Sequence, residues 1–186
     1  MEKLPQNFII EKYGLKARFV EENDADFIFM LRSDKTLNRY IHDIEGGVEE
    51  QRIWISKYKE REKEGKEYYF IFFKEEEAVG VFRLYSFHGT TYTGGSWVMR
   101  KNSSLEAVVG VSIIAREIAF DILGMEFEDD YDACHVDNKK VIKFNFQLGM
   151  KIYKHFQDVK GEYVAMSLTK EDFNKNKSKL LKAIGY

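Results

Sequence analysis

Cysteine and proline are almost missing from this 186-residue chain, which contains one of each. The lone Cys134 cannot form an intramolecular disulfide, and residues 1–8 lack the apolar run of a secretory signal. No run of about 18 apolar residues, the length that crosses a bilayer, occurs in the sequence. We therefore expect a reducing, cytoplasmic location and no membrane partner.

An excess of basic charge is also missing. Lys and Arg number 29, Asp and Glu number 31, and the formal net charge is −2. Proteins that bind nucleic acid through a broad surface neutralise phosphates with many Lys and Arg side chains. We therefore expect no nucleic-acid partner. The hydrophobic share of 44% is that of a folded protein, and no linker interrupts the chain, so we expect one domain over residues 1–186.

The order of periodic segments predicts a mixed α/β protein. Alternating apolar and polar residues predict strands, and apolar residues three and four apart predict helices. The predicted strands are residues 15–20, 68–73, 78–87, 92–99, 132–136, 151–156 and 162–169. The predicted helices are one capped by Asn23, then residues 48 to about 64, 105–123 and 139–148, and a polar C-terminal tail.

Helical spacing also predicts which side chains face the core. The predicted inward residues are Phe27, Met30 and Leu31 in the first helix, Trp54 and Tyr58 in the second, and Val141, Phe144 and Leu148 in the helix at 139–148. The helix at 105–123 is apolar almost all round, which predicts a central helix covered on several sides. Ser103 and Glu106 have the spacing of a capping box, which predicts Ser103 as its N-cap.

Two local segments support a family resemblance that the order of elements suggests. Residues 118–125, Ile-Ala-Phe-Asp-Ile-Leu-Gly-Met, look like the end of the cofactor helix of GNAT acetyltransferases. Asn138 followed by Leu148, Gly149 and Met150 resembles the N…LGF segment of that family. Residues 81–85 and 95–98 are similar to GNAT members that modify amino sugars. The chain therefore resembles the GNAT family over nearly its whole length.

The resemblance implies a single-domain fold with a mixed, mostly antiparallel sheet flanked by helices. It implies acetyl-CoA as cosubstrate, no metal ion and a small-molecule amine acceptor, and it leaves a homodimer open. The expected cofactor-binding residues are Val98, Met99, Arg100, Ser103, Ser104, Leu105, Glu106, Ala107, Val108 and Asn138. Glu106 and Val108 depart from the family pattern, which has small residues at both positions.

Two residues are candidates for the chemistry of acetyl transfer. Many GNAT enzymes have a tyrosine that protonates the leaving thiolate seven residues beyond the family's asparagine, and Asn145 occupies that place here. An amide cannot act as a general acid, but it can donate a hydrogen bond to sulfur. Strand periodicity places Tyr131, Ala133 and His135 on one face, and His135 is a candidate base because its ordinary pKa is about 6.5.

The acceptor site has four candidate residues, which are Arg83, Tyr85, Ser96 and Trp97. An arginine suits a phosphate or carboxylate of the acceptor, and an aromatic ring can stack on a sugar or base. Core packing with one structural ion pair explains these residue types equally well.

The residues and the family resemblance leave three alternative functions. The first is transfer of acetyl from acetyl-CoA to a primary amine of a small metabolite, with a nucleotide-linked amino sugar as the leading acceptor. The second is acetyl transfer to a protein N-terminus or to a polyamine. The third is a GNAT-like ligand-binding module without turnover, which the altered residues at 103–108 and the missing tyrosine favour.

Overall fold

The computed structural model describes residues 2–37, 40, 46–159 and 161–186, without the side chains of residues 132 and 133. Eight strands within these ranges form one sheet in the order β1-β2-β3-β4-β5-β6-β8-β7. The strands are β1 Ile9–Lys12, β2 Leu15–Phe19, β3 Tyr68–Lys74, β4 Glu77–His88, β5 Thr91–Met99, β6 Phe127–His135, β7 Lys151–Asp158 and β8 Gly161–Thr169. All neighbours pair antiparallel except β5 and β6, which are parallel.

Helices cover both faces of the sheet. They are α1 Ala25–Ser33, α2 Val48–Lys63, α3 Leu105–Glu117, α4 Lys139–Leu148 and α5 Lys170–Ala183. One core packs α3 and α5 against the sheet, and a second core packs α1 and α2 against the other face of β3, β4 and β5. The predicted fold class, a mixed and mostly antiparallel sheet flanked by helices, is confirmed.

The central helix is buried as its composition predicts. From Ala107 to Glu117 almost every side chain of α3 is buried, and the chain continues from Ile118 to Ile122 as a wider π-helical turn. Gly110 packs closely against β2, since a Cβ atom on it would lie 2.7 Å from Leu15 Cδ1. Close packing on both sides makes α3 a rigid support for the strands beneath it.

Several predicted boundaries and faces were wrong. Strand β6 begins at Phe127, not at residue 132, and β1 was not predicted. Asn23 lies inside a short 3-10 turn, and Asp24 is the N-cap of α1. Met30 is 45% exposed, because the buried face of α1 is formed by Ala25, Ile28 and Leu31. At 3.6 residues per turn Met30 lies about 100° around the helix axis from Leu31, so it is turned away from the face that Ala25, Ile28 and Leu31 share.

The parallel pair separates soon after it forms. Strands β5 and β6 pair only at Thr91 with Phe127 and at Tyr92 with Glu128. Beyond these residues the two strands diverge, while β4 continues to pair with β5 on the other side. The sheet therefore opens into a wedge-shaped gap between β5 and β6. No helix within the described ranges has both the length and the apolar character needed to cross a membrane.

Candidate functional site

A cavity of about 310 Å³ occupies the gap between β5 and β6. Its wall combines the diverging ends of both strands with side chains from β4, α1, α3 and α4. The lining residues are Arg32, Leu37, Tyr40, Phe82, Tyr85, Thr93, Gly94, Gly95, Ser96, Trp97, Arg116, Asp130, Cys134, Asn138, Val141 and Asn145. A concave site at a strand opening, with a few polar groups that converge on it, is typical of ligand binding.

A bulge turns the backbone of β5 at the cavity wall. Val81 pairs with Val98 and Arg83 pairs with Gly95, so β5 has one residue more than β4 between these pairs. Ser96 has a φ of +47°, a left-handed conformation that few non-glycine residues adopt. A bulge changes the direction of the strand and redirects its backbone groups. Ser96 and Trp97 therefore meet the cavity at a bend, beyond the last residue that β6 pairs with.

Two glycines let other groups approach β5 at this point. A Cβ atom on Gly94 would lie 2.6 Å from Glu128 Oε1, and one on Gly95 would lie 2.8 Å from Tyr85 Cε1. Real Cβ atoms do not come this close, so a side chain at either position would displace a carboxylate or an aromatic ring. The Gly94-Gly95 pair is needed for the close packing at the inner end of the cavity.

A buried ion pair forms the floor of the gap. Arg116 of α3 donates two hydrogen bonds to Glu128, from Nε at 2.8 Å and from Nη2 at 2.8 Å. Tyr92 donates a third from its hydroxyl group at 2.8 Å. The side chains of Arg116 and Glu128 are only 2% and 0% exposed. A bidentate pair with an additional donor is the arrangement that allows two charges to be buried together.

Asp130 lies beside this pair and also lines the cavity. The Gly94 amide donates to its Oδ1 at 2.9 Å, which bridges β5 and β6 where the strands begin to separate. Burial raises the pKa of Asp130 well above its ordinary value, and the neighbouring Glu128 carboxylate raises this pKa further. The same residue is 7% exposed. The cavity therefore contains a carboxyl group that holds its proton to a higher pH than a surface aspartate does.

The residues selected by the N…LGF segment reach the same cavity. Asn138 and Asn145 both line it, from the start of α4 and from its buried face. The Asn145 side-chain nitrogen lies 3.8 Å from Cys134 Sγ and 3.6 Å from Met166 Sδ, which are weak acceptors. Burial raises the pKa of the Cys134 thiol to about 12, so this thiol stays protonated near neutral pH.

The start of α3 borders a second cavity of about 310 Å³. Cations of Lys74, Arg100 and Lys101 lie around it together with the carboxylates of Glu75 and Glu77. The free amides of a helix start and its dipole favour an anion at such a place. This surface holds most of the expected cofactor-binding residues: Arg100, Ser103, Ser104 and Ala107 line the cavity, and Leu105, Glu106 and Val108 belong to the same first turn.

The predicted N-cap was wrong by one residue. Ser104 is the N-cap of α3, and its hydroxyl accepts a hydrogen bond from the Ala107 amide at 3.3 Å. Ser103 instead donates to the Arg100 carbonyl at 2.7 Å, which closes the preceding turn. The Glu106 carboxylate interacts with the Ser104 side chain, and this hydrogen bond lowers the pKa of Glu106. The carboxylate therefore folds back over the cap, as the sequence predicts, although its partner is Ser104.

Val98 and Met99 connect the two cavities through their backbone. The Val98 side chain is buried in the core beneath α1 and α2, and Met99 Sδ covers Gly80, so neither side chain lines either cavity. Their strand edge toward β6 has no paired strand among the described residues. Any contact that Val98 and Met99 make with a ligand in the gap is therefore a main-chain contact.

The acceptor-site candidates separate into two groups. Tyr85, Ser96 and Trp97 line the cavity between β5 and β6. The Trp97 Nε1 atom is buried and has no hydrogen-bond partner among the residues that the structure describes. Arg83 does not line the cavity; its guanidinium contacts Glu67 and lies 4.6 Å from the centre of the Tyr85 ring. This is the structural ion pair that the sequence leaves open for Arg83.

His135 also lies outside the cavity wall. Its ring packs 5.2 Å from the centre of Tyr40 and 5.1 Å from the centre of Tyr163, and its Nδ1 accepts a hydrogen bond from the Asp137 amide at 3.1 Å. The preceding residue, Cys134, faces the cavity. The base role expected for His135 stays a prediction without support from this geometry, and the Ala133 side chain used in the same argument lies outside the described residues.

Sequence reasoning missed four charged residues at the site: Arg32, Arg116, Glu128 and Asp130. The sequence shows Arg116 as one of the few charges on a central helix that is otherwise apolar. An arginine on a helix that is otherwise apolar must have a buried partner, and the acidic run at residues 126–132 was the place to look for it. That signal was available in the sequence.

Solved structures of other proteins have the same architecture. No protein-family model matches the sequence, and no curated protein sequence matches it. Among solved structures, one described as apo FdhC, a nucleotide-linked sugar GNAT, is 32% identical, covers 96% of this chain and 99% of its own, and has a TM-score of 0.81. A ribosomal-protein-S5-alanine acetyltransferase from Vibrio fischeri is 13% identical, with 90% and 99% coverage and a TM-score of 0.76. Spermidine N-acetyltransferase from Vibrio cholerae, in complex with CoA and spermine, is 14% identical, with 88% and 99% coverage and a TM-score of 0.75.

Proposed function

Because this chain belongs to the GNAT family and is an acetyl-CoA-dependent N-acetyltransferase, we propose that its acceptor is a primary amine of a small metabolite, a nucleotide-linked amino sugar. The observation that carries the choice of acceptor is the 32% identity, over almost the whole chain, to a protein described as a nucleotide-linked sugar GNAT. The spermidine and ribosomal-protein acetyltransferases are 14% and 13% identical, so they support the fold alone.

The two cavities suit the two ends of acetyl-CoA. The cofactor supplies an acetyl thioester at one end and phosphate groups at the other. The amides at the start of α3, with Lys74, Arg100 and Lys101 beside them, can hold the pyrophosphate. The strand edge from Ser96 to Met99 leads from there to the cavity between β5 and β6, and its unpaired backbone groups can bind the amides of the pantetheine arm. Glu106 opposes the phosphates, but its carboxylate is engaged with Ser104.

Acetyl transfer needs a donor directed at the thioester carbonyl oxygen, where negative charge develops. Ser96 and Trp97 line the gap at the bulge of β5, so an amide of this bend can serve as that donor. The Asn145 amide, buried on the opposite wall, can donate to the thioester sulfur. These roles use fixed groups, which need little reorganisation during the reaction.

The acceptor enters from the side of α1 and β4. Tyr85 and Trp97 supply aromatic surface for a sugar or base, and Trp97 Nε1, which has no partner among the described residues, can donate to an acceptor oxygen. Arg32, which also lines the cavity, supplies a cation for a phosphate. A nucleotide-linked sugar has rings that can stack, oxygens that can accept a hydrogen bond and phosphates that can bind a cation. A polyamine has no anionic group for Arg32 to bind.

A thiol-release assay with acetyl-CoA and a panel of amines tests this proposal. We expect turnover with nucleotide-linked amino sugars and a much lower kcat/KM with spermidine and with a peptide N-terminus. Preference for the peptide would favour the alternative of an N-terminal acetyltransferase. In parallel, calorimetry should show that acetyl-CoA binds, and that Glu106→Gly binds it more tightly because a carboxylate near the phosphates is removed. Binding without turnover on any amine would contradict the proposed function and favour a binding module.

A further inference from the structure

Within the described part of the chain, two buried carboxylates, Asp130 on the cavity wall and Glu128 behind it, lie beside only one buried cation, Arg116. Arg116 uses Nε and Nη2 on Glu128, and its Nη1 donates to the Ser112 hydroxyl at 2.6 Å. Nη1 also donates to the Ser112 carbonyl at 3.3 Å, and Nη2 lies 4.0 Å from Met150 Sδ, so every guanidinium nitrogen has a partner other than Asp130. Asp130 receives one hydrogen bond from the Gly94 amide and otherwise faces Glu128 and the cavity. Two adjacent carboxylates cannot both remain ionised easily in such a place.

The groups packed around Asp130 favour the protonated form of its carboxyl group and still allow it to gain or lose the proton. Glu128 and Cys134 neighbour it on β6, Tyr92 faces it from β5, and Arg116 faces it from α3. Tyr92 and Cys134 stay protonated near neutral pH because burial raises the pKa of each, so neither places a negative charge beside Asp130. Arg116 pairs with Glu128, so Asp130 has no salt bridge of its own within the described part of the chain.

Asp130 lies on the wall of the cavity to which the acetyl transfer is assigned. It lines the same cavity as Ser96 and Asn145, the two residues assigned to the thioester carbonyl and sulfur, and it accepts a hydrogen bond from Gly94, two residues before Ser96. Of the titratable side chains that line this cavity in the described part of the chain, Asp130 alone is a carboxyl group. The others are arginines, tyrosines and Cys134, which do not take up a proton from an amine near neutral pH.

We infer that Asp130 is the catalytic residue that transfers the proton from the acceptor nitrogen to the leaving thiolate. This inference rests on the proposed acetyl transfer. An acceptor that arrives as an ammonium ion first loses one proton to solvent. The nitrogen then attacks the thioester carbonyl carbon, the N–C bond forms and the C–S bond breaks. The Asp130 carboxylate takes the second proton from nitrogen and gives it to sulfur, so the products are an amide and a free thiol, and the carboxylate is regenerated.

This step accounts for the missing tyrosine. Asn145 occupies the place of the family's usual thiolate-protonating residue, and an amide cannot supply a proton. If one carboxyl group both accepts and returns the proton, no second acid is required. Asp130 then transfers the proton, and Asn145 donates a hydrogen bond to the sulfur.

The test is Asp130→Asn with Asp129→Asn as the matched control. The asparagine keeps an oxygen for the Gly94 amide, while it cannot carry the proton. Asp129, one residue away, accepts a hydrogen bond from the Tyr153 hydroxyl at 2.6 Å and does not line the cavity. We expect Asp130→Asn to lower kcat/KM about 100-fold or more, as loss of acid-base catalysis does, with acetyl-CoA affinity unchanged. Asp129→Asn should stay close to wild type. Equal activity of wild type and Asp130→Asn would overturn the inference.

A second readout does not depend on turnover. In protein labelled with carboxyl ¹³C-aspartate, the Asp130 signal, identified by its loss in Asp130→Asn, should titrate well above the ordinary range for aspartate, which centres at about 3.9. In active protein the low-pH limb of kcat/KM should follow the same titration and disappear in Asp130→Asn. An ordinary titration of Asp130 would contradict the inference even if no amine of the panel were acetylated, which would separately contradict the proposed function.

Discussion

Each end of strand β5 is associated with an arginine-glutamate pair, and the two pairs differ strongly in solvent exposure. At the inner end, Arg116 and Glu128 are 2% and 0% exposed and joined at 2.8 Å. At the outer end, Arg100 and Glu77 are 48% and 79% exposed and 3.3 Å apart. Charges at the outer end are screened by water and salt, whereas those at the inner end are shielded from solvent and interact strongly. The site therefore has an adaptable end for phosphates and a preorganised end for chemistry.

The largest effect should come from breaking the buried pair. Arg116→Met leaves Glu128 charged, buried and beside Asp130, so we expect the free energy of unfolding to fall by about 3–5 kcal/mol. Arg100→Met, the same change at the outer end, should cost less than about 1 kcal/mol. Urea denaturation of both variants checks the comparison. Similar losses for the two would mean that burial does not separate the two pairs.

The second largest effect is on the pH dependence of the free energy of unfolding. The Asp130 pKa is raised in the folded protein, so between about 3.9 and that raised value the folded state binds one proton more than the unfolded state. Stability from this group is present at low pH and is lost as pH rises, with a slope of about 1.4 kcal/mol per pH unit. Asp130→Asn removes the slope.

Melting curves of wild type and Asp130→Asn across this pH range measure the difference. The variant should gain stability relative to wild type as pH rises. If the two curves remain parallel at every pH, Asp130 ionises in the folded protein as readily as in the unfolded chain.

The smallest effect should come from Asn145. Asn145→Ala removes a neutral donor from the cavity, and we expect kcat to fall by a factor that corresponds to about 0.5–1.5 kcal/mol. Gln147, an exposed amide on the same helix, provides the control through Gln147→Ala, which should leave kcat unchanged. An unchanged kcat in Asn145→Ala would show that this amide only packs against Cys134 and Met166.

The contrast between the two ends of β5 also explains which features could be predicted from the sequence. The order of elements follows from local periodicity, and Asn138 and Asn145 follow from the spacing of one segment. The chemistry at the inner end depends on contacts between distant parts of the chain. Glu128 and Asp130 belong to an acidic run that resembles a solvated loop, because carboxylates are depleted in strands. Only their pairing with Arg116 and the Gly94 amide makes that run a buried strand.

Two other features could not be inferred from local pattern. The left-handed Ser96 is set by the register between β4 and β5, which sequence periodicity does not contain. The strand-parity argument that selected His135 treated β6 as regular, whereas its register against β8 shifts between Asp130 and Cys134. A bulge changes which side chains share a face, so Asp130 and Cys134 reach the cavity and His135 packs between two tyrosines.

Hydrogen-deuterium exchange with and without saturating acetyl-CoA tests the central claim most directly, because it reports on both ends of β5 in one experiment. The account predicts slower exchange in peptides that cover residues 94–108, which include the bulge and the start of α3, and residues 138–145 at the start of α4. Peptides from β7 and β8 should be unchanged. Protection that spares residues 94–108, or no protection anywhere at saturation, would contradict the assignment of this gap as the acetyl-CoA site.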